Sequence, residues 1–325
     1  MEQDTVVRAS RDGPRRLLGN WRELLIAVRV AVVALLVAAC LLTPGFLSAA
    51  NLLSLLTTVS FIGCVAVGMT LITISGNIMS FCLGATAGAS AMVFIVALNW
   101  GGIGVGLVAA LSLAALLNAA QGFAVGWVRA NPVIVSIATL ALIYGVAEIF
   151  ASHSAVYPRP DTGYAIFKGK LAGVPVEFVV FLCVVAAGHF ILSFTRFGRN
   201  LYMIGSSFRA AEATGVKTWR SITGAYLWAG LFTGLAGIML AIRYDGANME
   251  YGTGYDYDAV AAVLVGGTLI KGGQGSVLRT LAGVMVIAIV QSMLLLQGFR
   301  TEWQYLITGL IVLAVIILHT SGERR

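Results

Sequence analysis

The 325-residue chain has a formal charge of +7, is 59% hydrophobic and only 11% charged, and has a mean hydropathy of +0.92. Soluble domains carry about 25% charged residues, so this composition excludes a water-soluble fold around one core. Apolar runs near the roughly 20 residues that cross about 30 Å of hydrocarbon recur along the chain instead. The basic excess reads as orientation in a membrane and not as a nucleic-acid surface.

Residues 1–23 are polar and include Arg8, Arg11, Arg15, Arg16 and Arg22. The stretch is too long and too charged for a signal-peptide n-region, and no small-residue cleavage site follows, so it reads as a retained cytoplasmic tail. The hydropathy pattern then predicts spans at 24–43, 50–74, 78–98, 103–128, 132–152, 176–194, 221–243, 257–270, 276–297 and 303–319, with residues 320–325 as a second cytoplasmic tail. The eighth span is short for a full crossing and reads as tilted or re-entrant. With the N-terminus inside, cytoplasmic segments hold fifteen Lys or Arg residues against five outside, and Arg29 snorkels from the first span. That asymmetry fits an all-α integral membrane protein of about ten transmembrane helices, 24–319, with both termini cytoplasmic. Gly76-Asn77-Ile78 before the third span and Gly272-Gly273-Gln274-Gly275 before the ninth hint at an inverted five-plus-five repeat.

The cysteines Cys40, Cys64, Cys82 and Cys183 lie inside apolar runs, with no C-x-x-C pair and no His at ligand spacing, so they read as core residues and no metal site is expected. There is no G-x-x-x-x-G-K-[ST], G-x-S-x-G or H-E-x-x-H, and His153, His189 and His319 stand on different segments, which leaves an enzyme nothing to work with. Glu148 is the one acid read as intramembrane; Asp245, Glu250, Asp256 and Asp258 are assigned to an outer loop. With so few buried acids, proton- or sodium-coupled transport has no obvious groups, and energy is expected from elsewhere. The membrane's polar chemistry is neutral: Asn77, Ser80, Asn118, Gln121 and Gln291 either bond helices together or line a wet path suited to a polyol or sugar. The cytoplasmic loop 195–220 mixes basic charge with Ala210 to Thr214, bounded by Gly205 and Gly215, and reads as a short displayed helix.

That loop, through Gly198, Arg199, Gly205, Ala210, Ala211 and Gly215, resembles the ATPase-contacting loop of the ribose-type monosaccharide permeases of ABC importers. Gly252-Thr253-Gly254-Tyr255-Asp256-Tyr257-Asp258-Ala259, continuing through Gly266-Gly267-Thr268 to Gly272-Gly273-Gln274-Gly275, is similar to the same family's most recognisable segment. Asn131-Pro132-Val133-Ile134-Val135-Ser136-Ile137-Ala138-Thr139-Leu140 and Gly68-Met69-Thr70-Leu71 resemble two further elements. The resemblance implies a permease subunit in a bacterial inner membrane, moving a monosaccharide or small polyol received from a periplasmic solute-binding protein. It implies a second permease copy or paralogue and a cytoplasmic ABC ATPase that binds the ATP and Mg, with no cofactor in this chain. Nucleoside and branched-chain amino acid permeases share the architecture and are the nearest alternative, ahead of a stand-alone carrier. Gly198, Arg199, Gly205, Arg209, Ala210, Ala211, Glu212 and Gly215 are then the coupling residues. In one place the chain departs from the family, which has G-G-I-D-L-S-V-G where this sequence reads Gly76-Asn77-Ile78-Met79-Ser80-Phe81-Cys82-Leu83-Gly84, one residue longer and without the Asp.

Overall fold

The computed structural model describes residues 43–77, 79–151, 155–159, 164, 168–171 and 173–323. Ten α-helices occur among them: α1 (Ala49–Ile74), α2 (Leu83–Gly126), α3 (Pro132–Ala151), α4 (Val176–Phe194), α5 (Arg196–Ser206), α6 (Phe208–Ala213), α7 (Thr218–Tyr244), α8 (Tyr255–Val265), α9 (Val277–Leu296) and α10 (Thr301–Glu323). Two-residue strands β1 (Lys170–Leu171) and β2 (Val174–Pro175) form a small antiparallel turn before α4. Six helices, α1, α2, α3, α4, α7 and α9, are long and apolar enough to cross a bilayer, and α10 is apolar over Thr301–Ile317. The first predicted span and the 1–23 tail, with Arg29 and Cys40, lie outside the described residues apart from Thr43.

α1 is apolar on every side and is the central helix, with 89% of its apolar window buried. Its hydroxyls are tolerated there because Thr57, Ser60, Thr70 and Thr73 donate back to carbonyls one turn earlier. Thr70 also meets Thr280 of α9 at 2.7 Å. α3 is the opposite case, with 11% of its window buried, as a helix facing lipid would be.

The third and fourth predicted spans are two arms of α2, joined at Gly102, whose φ of 78° and ψ of −175° suit glycine alone. The arms fold back on each other, since a Cβ on Gly106 would stand 3.0 Å from the Phe94 carbonyl oxygen. Both arms lie along α7, where small residues let backbones touch. A Cβ on Gly237 would be 2.2 Å from the Ala87 carbonyl oxygen, and one on Gly230 would be 2.3 Å from that of Ala114. The register 126 to Trp219, 122 to Tyr226 and 114 to Gly230 sets the second arm antiparallel to α7.

Hydropathy misplaces one start and one length. The first arm begins at Leu83 and not at 78, because residues 79–82 are non-helical. The eighth span is α8, 11 residues long, or about 16 Å, roughly half a crossing.

Candidate functional site

α2 and α8 begin against each other. The Asp256 carboxylate accepts the Gly84 N–H at 2.7 Å, with the Leu83 N–H beside it. Gly84 and Gly252 are in backbone contact: a Cβ on Gly252 would fall on the Gly84 carbonyl oxygen. Asn118, bonded to Thr86 just above, is level with Gly230, halfway along α7, so this junction sits at mid-bundle. Asp256 occupies the first turn of α8 while capping α2, so the positive ends of two helices converge on one carboxylate. Asp258, also buried, accepts the Gln291 amide at 2.7 Å. These two acids therefore belong to the helix interior and not to an outer loop, and Glu148, which is exposed, is not the lone intramembrane acid.

The five neutral polar residues separate into three places. Ser80 donates to Gln121 at 3.3 Å, Gln121 donates to the Cys82 sulfur at 2.6 Å, and Asn118 donates to Thr86 and the Ala114 carbonyl, all buried around the α2 start. The Asn118 Oδ1 and the Tyr226 hydroxyl in the same layer have no partner among the described residues. Asn77 instead bonds Ser75 and lines a cavity of about 460 Å³ at the end of the bundle that holds α5 and α6. Gln291 is held on the far side by Asp258.

The displayed helix expected in the 195–220 loop is α6, preceded by α5. Ser207 caps α6 by accepting the Ala210 N–H at 3.3 Å, and Gly215 ends it at φ +81°. Ala211 is buried and anchors the helix, while Arg209, Ala210 and Glu212 are exposed, as is Arg199 on α5. Gly198 lies on the Leu192 carbonyl and Gly205 between the Ile74 carbonyl and Gly273, so α5 is seated on the ends of α4 and α1. Tyr202 donates to the Gly275 carbonyl at 2.9 Å and Gly273 N–H to the Ile74 carbonyl at 2.9 Å. A residue outside the 195–220 loop joins this surface to α2. Arg129, in the left-handed region at φ 58°, pairs with Glu212 at 2.6 Å and lies 5.0 Å over the Phe208 ring.

At the opposite end, two predicted outer loops are stitched together. Val156 and Ala247 form a two-bond antiparallel bridge, and Asp245 takes both the Lys168 amine and the Tyr164 hydroxyl. Lys168, chiefly, holds the Asp245 carboxyl below the usual range, and the hydrogen bond that the Tyr164 hydroxyl donates to Asp245 pushes Tyr164 up to about 12. Among the described residues no three His, Cys, Asp or Glu side chains gather as metal ligands.

Residues 51–316 match the family model described as branched-chain amino acid transport system / permease component. The ribose import permease protein of Bacillus subtilis strain 168 is 30% identical over 313 residues, 94% of each chain. The ribose import permease protein of Escherichia coli K12 is 29% identical over 90% of this chain and 93% of its own. The L-arabinose transport system permease protein of the same strain is 28% identical over 91% and 90%. No solved structure matches. Such permeases are transport subunits and not enzymes. The chain is a multi-pass inner-membrane protein and belongs to the branched-chain amino acid transport system / permease component family, the membrane subunits of ABC importers.

Proposed function

We propose that the chain carries a monosaccharide, or a similar small polyol, from a periplasmic solute-binding protein into the cytoplasm, driven by a separate ABC ATPase. The near full-length match to ribose and arabinose permeases supports this reading most directly. The mid-bundle polar cluster adds to it, because amides and hydroxyls suit neutral hydroxylated solutes. Ten spans over 24–319, tails at 1–23 and 320–325, both termini inside and an inverted five-plus-five plan complete the proposed topology.

Ser80, Asn118 and Gln121 are proposed to act at the α2 start, Asn77 at the cytoplasmic mouth and Gln291 through Asp258. The pathway itself is assigned to a face shared with a second permease copy or paralogue, because these side chains are closed over one another within a single chain. The binding protein docks on 153–175 and 244–256. The ATPase docks on Gly198, Arg199, Gly205, Arg209, Ala210, Ala211, Glu212 and Gly215, and its closure pushes α6, whose contacts differ between outward- and inward-open states.

The test is uptake of radiolabelled ribose, arabinose or galactose by proteoliposomes holding the permease, ATPase and binding protein. Uptake should require ATP hydrolysis and compete with other monosaccharides. Uptake that continues without hydrolysis, or that the chain alone sustains on an ion gradient, overturns the reading. Competition only by nucleosides or branched-chain amino acids replaces the solute and keeps the machine.

A further inference from the structure

α4 begins at Val176 with Pro175 in the capping position, so no side chain caps its first turn. The first N–H groups of a helix have no intrahelical acceptor and, with the helix dipole, form an anion-binding end. Beside them stands Glu177, second in the helix and 6% exposed, whose carboxylate makes no hydrogen bond or ion pair with another described residue. It lines a cavity of about 200 Å³ that is otherwise apolar, walled by Phe94, Ile103, Leu107, Val180 and Ile242. The cavity lies at the end of the bundle where α2 turns at Gly102 and α7 finishes at Tyr244. Ile103, Leu107 and Val180 are only partly buried, so the crevice is open to the surface between α2 and α4.

A carboxylate in such a place is costly unless something positive meets it. The α4 dipole offsets part of that cost and supplies no counter-ion. An occupant that completes the site has three parts: an apolar chain for the crevice, a phosphate for the free N–H groups, and a cation for Glu177. We propose that this crevice binds one phospholipid with a primary-amine headgroup, from the leaflet that meets the Gly102 end, which is the outer leaflet in the orientation proposed above. A primary ammonium donates three hydrogen bonds to a carboxylate, whereas a quaternary choline donates none. A phosphatidylglycerol headgroup offers no cation and is repelled. The site is independent of which solute the chain carries.

The experiment uses the full-length protein purified in detergent and supplemented with phosphatidylethanolamine, phosphatidylcholine or phosphatidylglycerol of identical acyl chains. Native mass spectrometry should find one phosphatidylethanolamine retained per chain. That lipid should raise the apparent melting temperature by about 2 °C or more above phosphatidylcholine, as expected of a ligand that binds only the folded state. Glu177→Gln should erase the difference between the two lipids, and Glu177→Lys should shift retention to phosphatidylglycerol. Val180→Trp, which fills the crevice and leaves the carboxylate in place, should reduce retained lipid to background. Equal effects of the three lipids on the unaltered protein overturn the proposal. So does a Glu177→Gln protein that keeps the preference, or a Val180→Trp protein that keeps the lipid.

Discussion

Replacing Asp256 by Ala removes the acceptor of the Gly84 N–H, made at 2.7 Å in a buried setting, and strips the charge from the start of α2. A buried donor left unpaired costs about 1–3 kcal/mol, and losing the carboxylate from a partly buried helix start adds about 1 kcal/mol, up to ~2. Asp256→Ala should therefore cost roughly 2–4 kcal/mol. Asn keeps the volume and one acceptor oxygen, so Asp256→Asn loses only the charge, about 1 kcal/mol. At about 2–4 °C per kcal/mol for a chain of this class, Asp256→Ala should melt roughly 4–16 °C lower and Asp256→Asn about 2–4 °C lower. With Cys40 and the exposed Cys183 replaced by Ser, the remaining Cys64 and Cys82, both fully buried, report unfolding by becoming reactive to a thiol dye. The reasoning is wrong if Asn costs as much as Ala, since the charge alone would then matter. It is equally wrong if Ala melts with the unaltered protein.

The α2–α7 contact makes a sharp contrast. Gly237→Ala puts a Cβ 2.2 Å from a carbonyl oxygen and should destabilise by about 1–3 kcal/mol in the same melt. Gly145→Ala on α3 meets nothing within 4 Å and should be neutral or stabilising by up to about 1 kcal/mol. The Arg129–Glu212 pair has side chains 65% and 42% exposed, so a double-mutant cycle in stability should give no more than about 1 kcal/mol. Glu212→Ala and Arg209→Ala should nonetheless weaken ATPase assembly, read by co-purification, while membrane insertion is unchanged. The Lys168–Asp245–Tyr164 strap carries a definite pH window. Asp245 is depressed, so its contribution is present above about pH 4 and fades as pH falls through its lower folded value; Tyr164 is raised to about 12, so its contribution is full below about pH 10 and fades on passing about 12. Hydrogen exchange around residues 168–171 should stay slow from pH 5 to 9, and Asp245→Asn should speed it at pH 7.

Hydropathy located the long helices because apolar runs of that length have no other use in a chain this poor in charge. It missed the α2 start by several residues and put Asp256 outside, since a window average cannot see a helix that begins at membrane depth. Asp256 stands among Tyr251, Thr253, Tyr255 and Asp258, a composition that resembles a loop until two helix ends are brought onto it. The glycines were the better signal. Gly84 and Gly88 are one turn apart on α2, and they touch Gly252 and Met249 backbone to backbone. The α6 helix was legible from its Ala run between glycines, but Arg129 was not, because its partner lies 83 residues away.

The arrangement of those breaks bears on how force would cross the chain. A straight helix through residues 75–101 would satisfy its own backbone; this chain interrupts it and satisfies the exposed groups from the 250s instead. The same interrupted segment is held a second time at its other end. There Gly76 touches Gly205 of α5 and Gly272 of the loop after α8. Gly84 is thus fastened at mid-bundle to the start of α8, and Gly76, at the α5–α6 face, to the loop that follows it. A push on α6 that moves α5 must either carry both fastenings together or break both. Such a pair of linked junctions favours two discrete packings over a graded bend. On the proposed transport cycle, that is why the polar cluster around Ser80 and Gln121 opens only when the cytoplasmic face has moved.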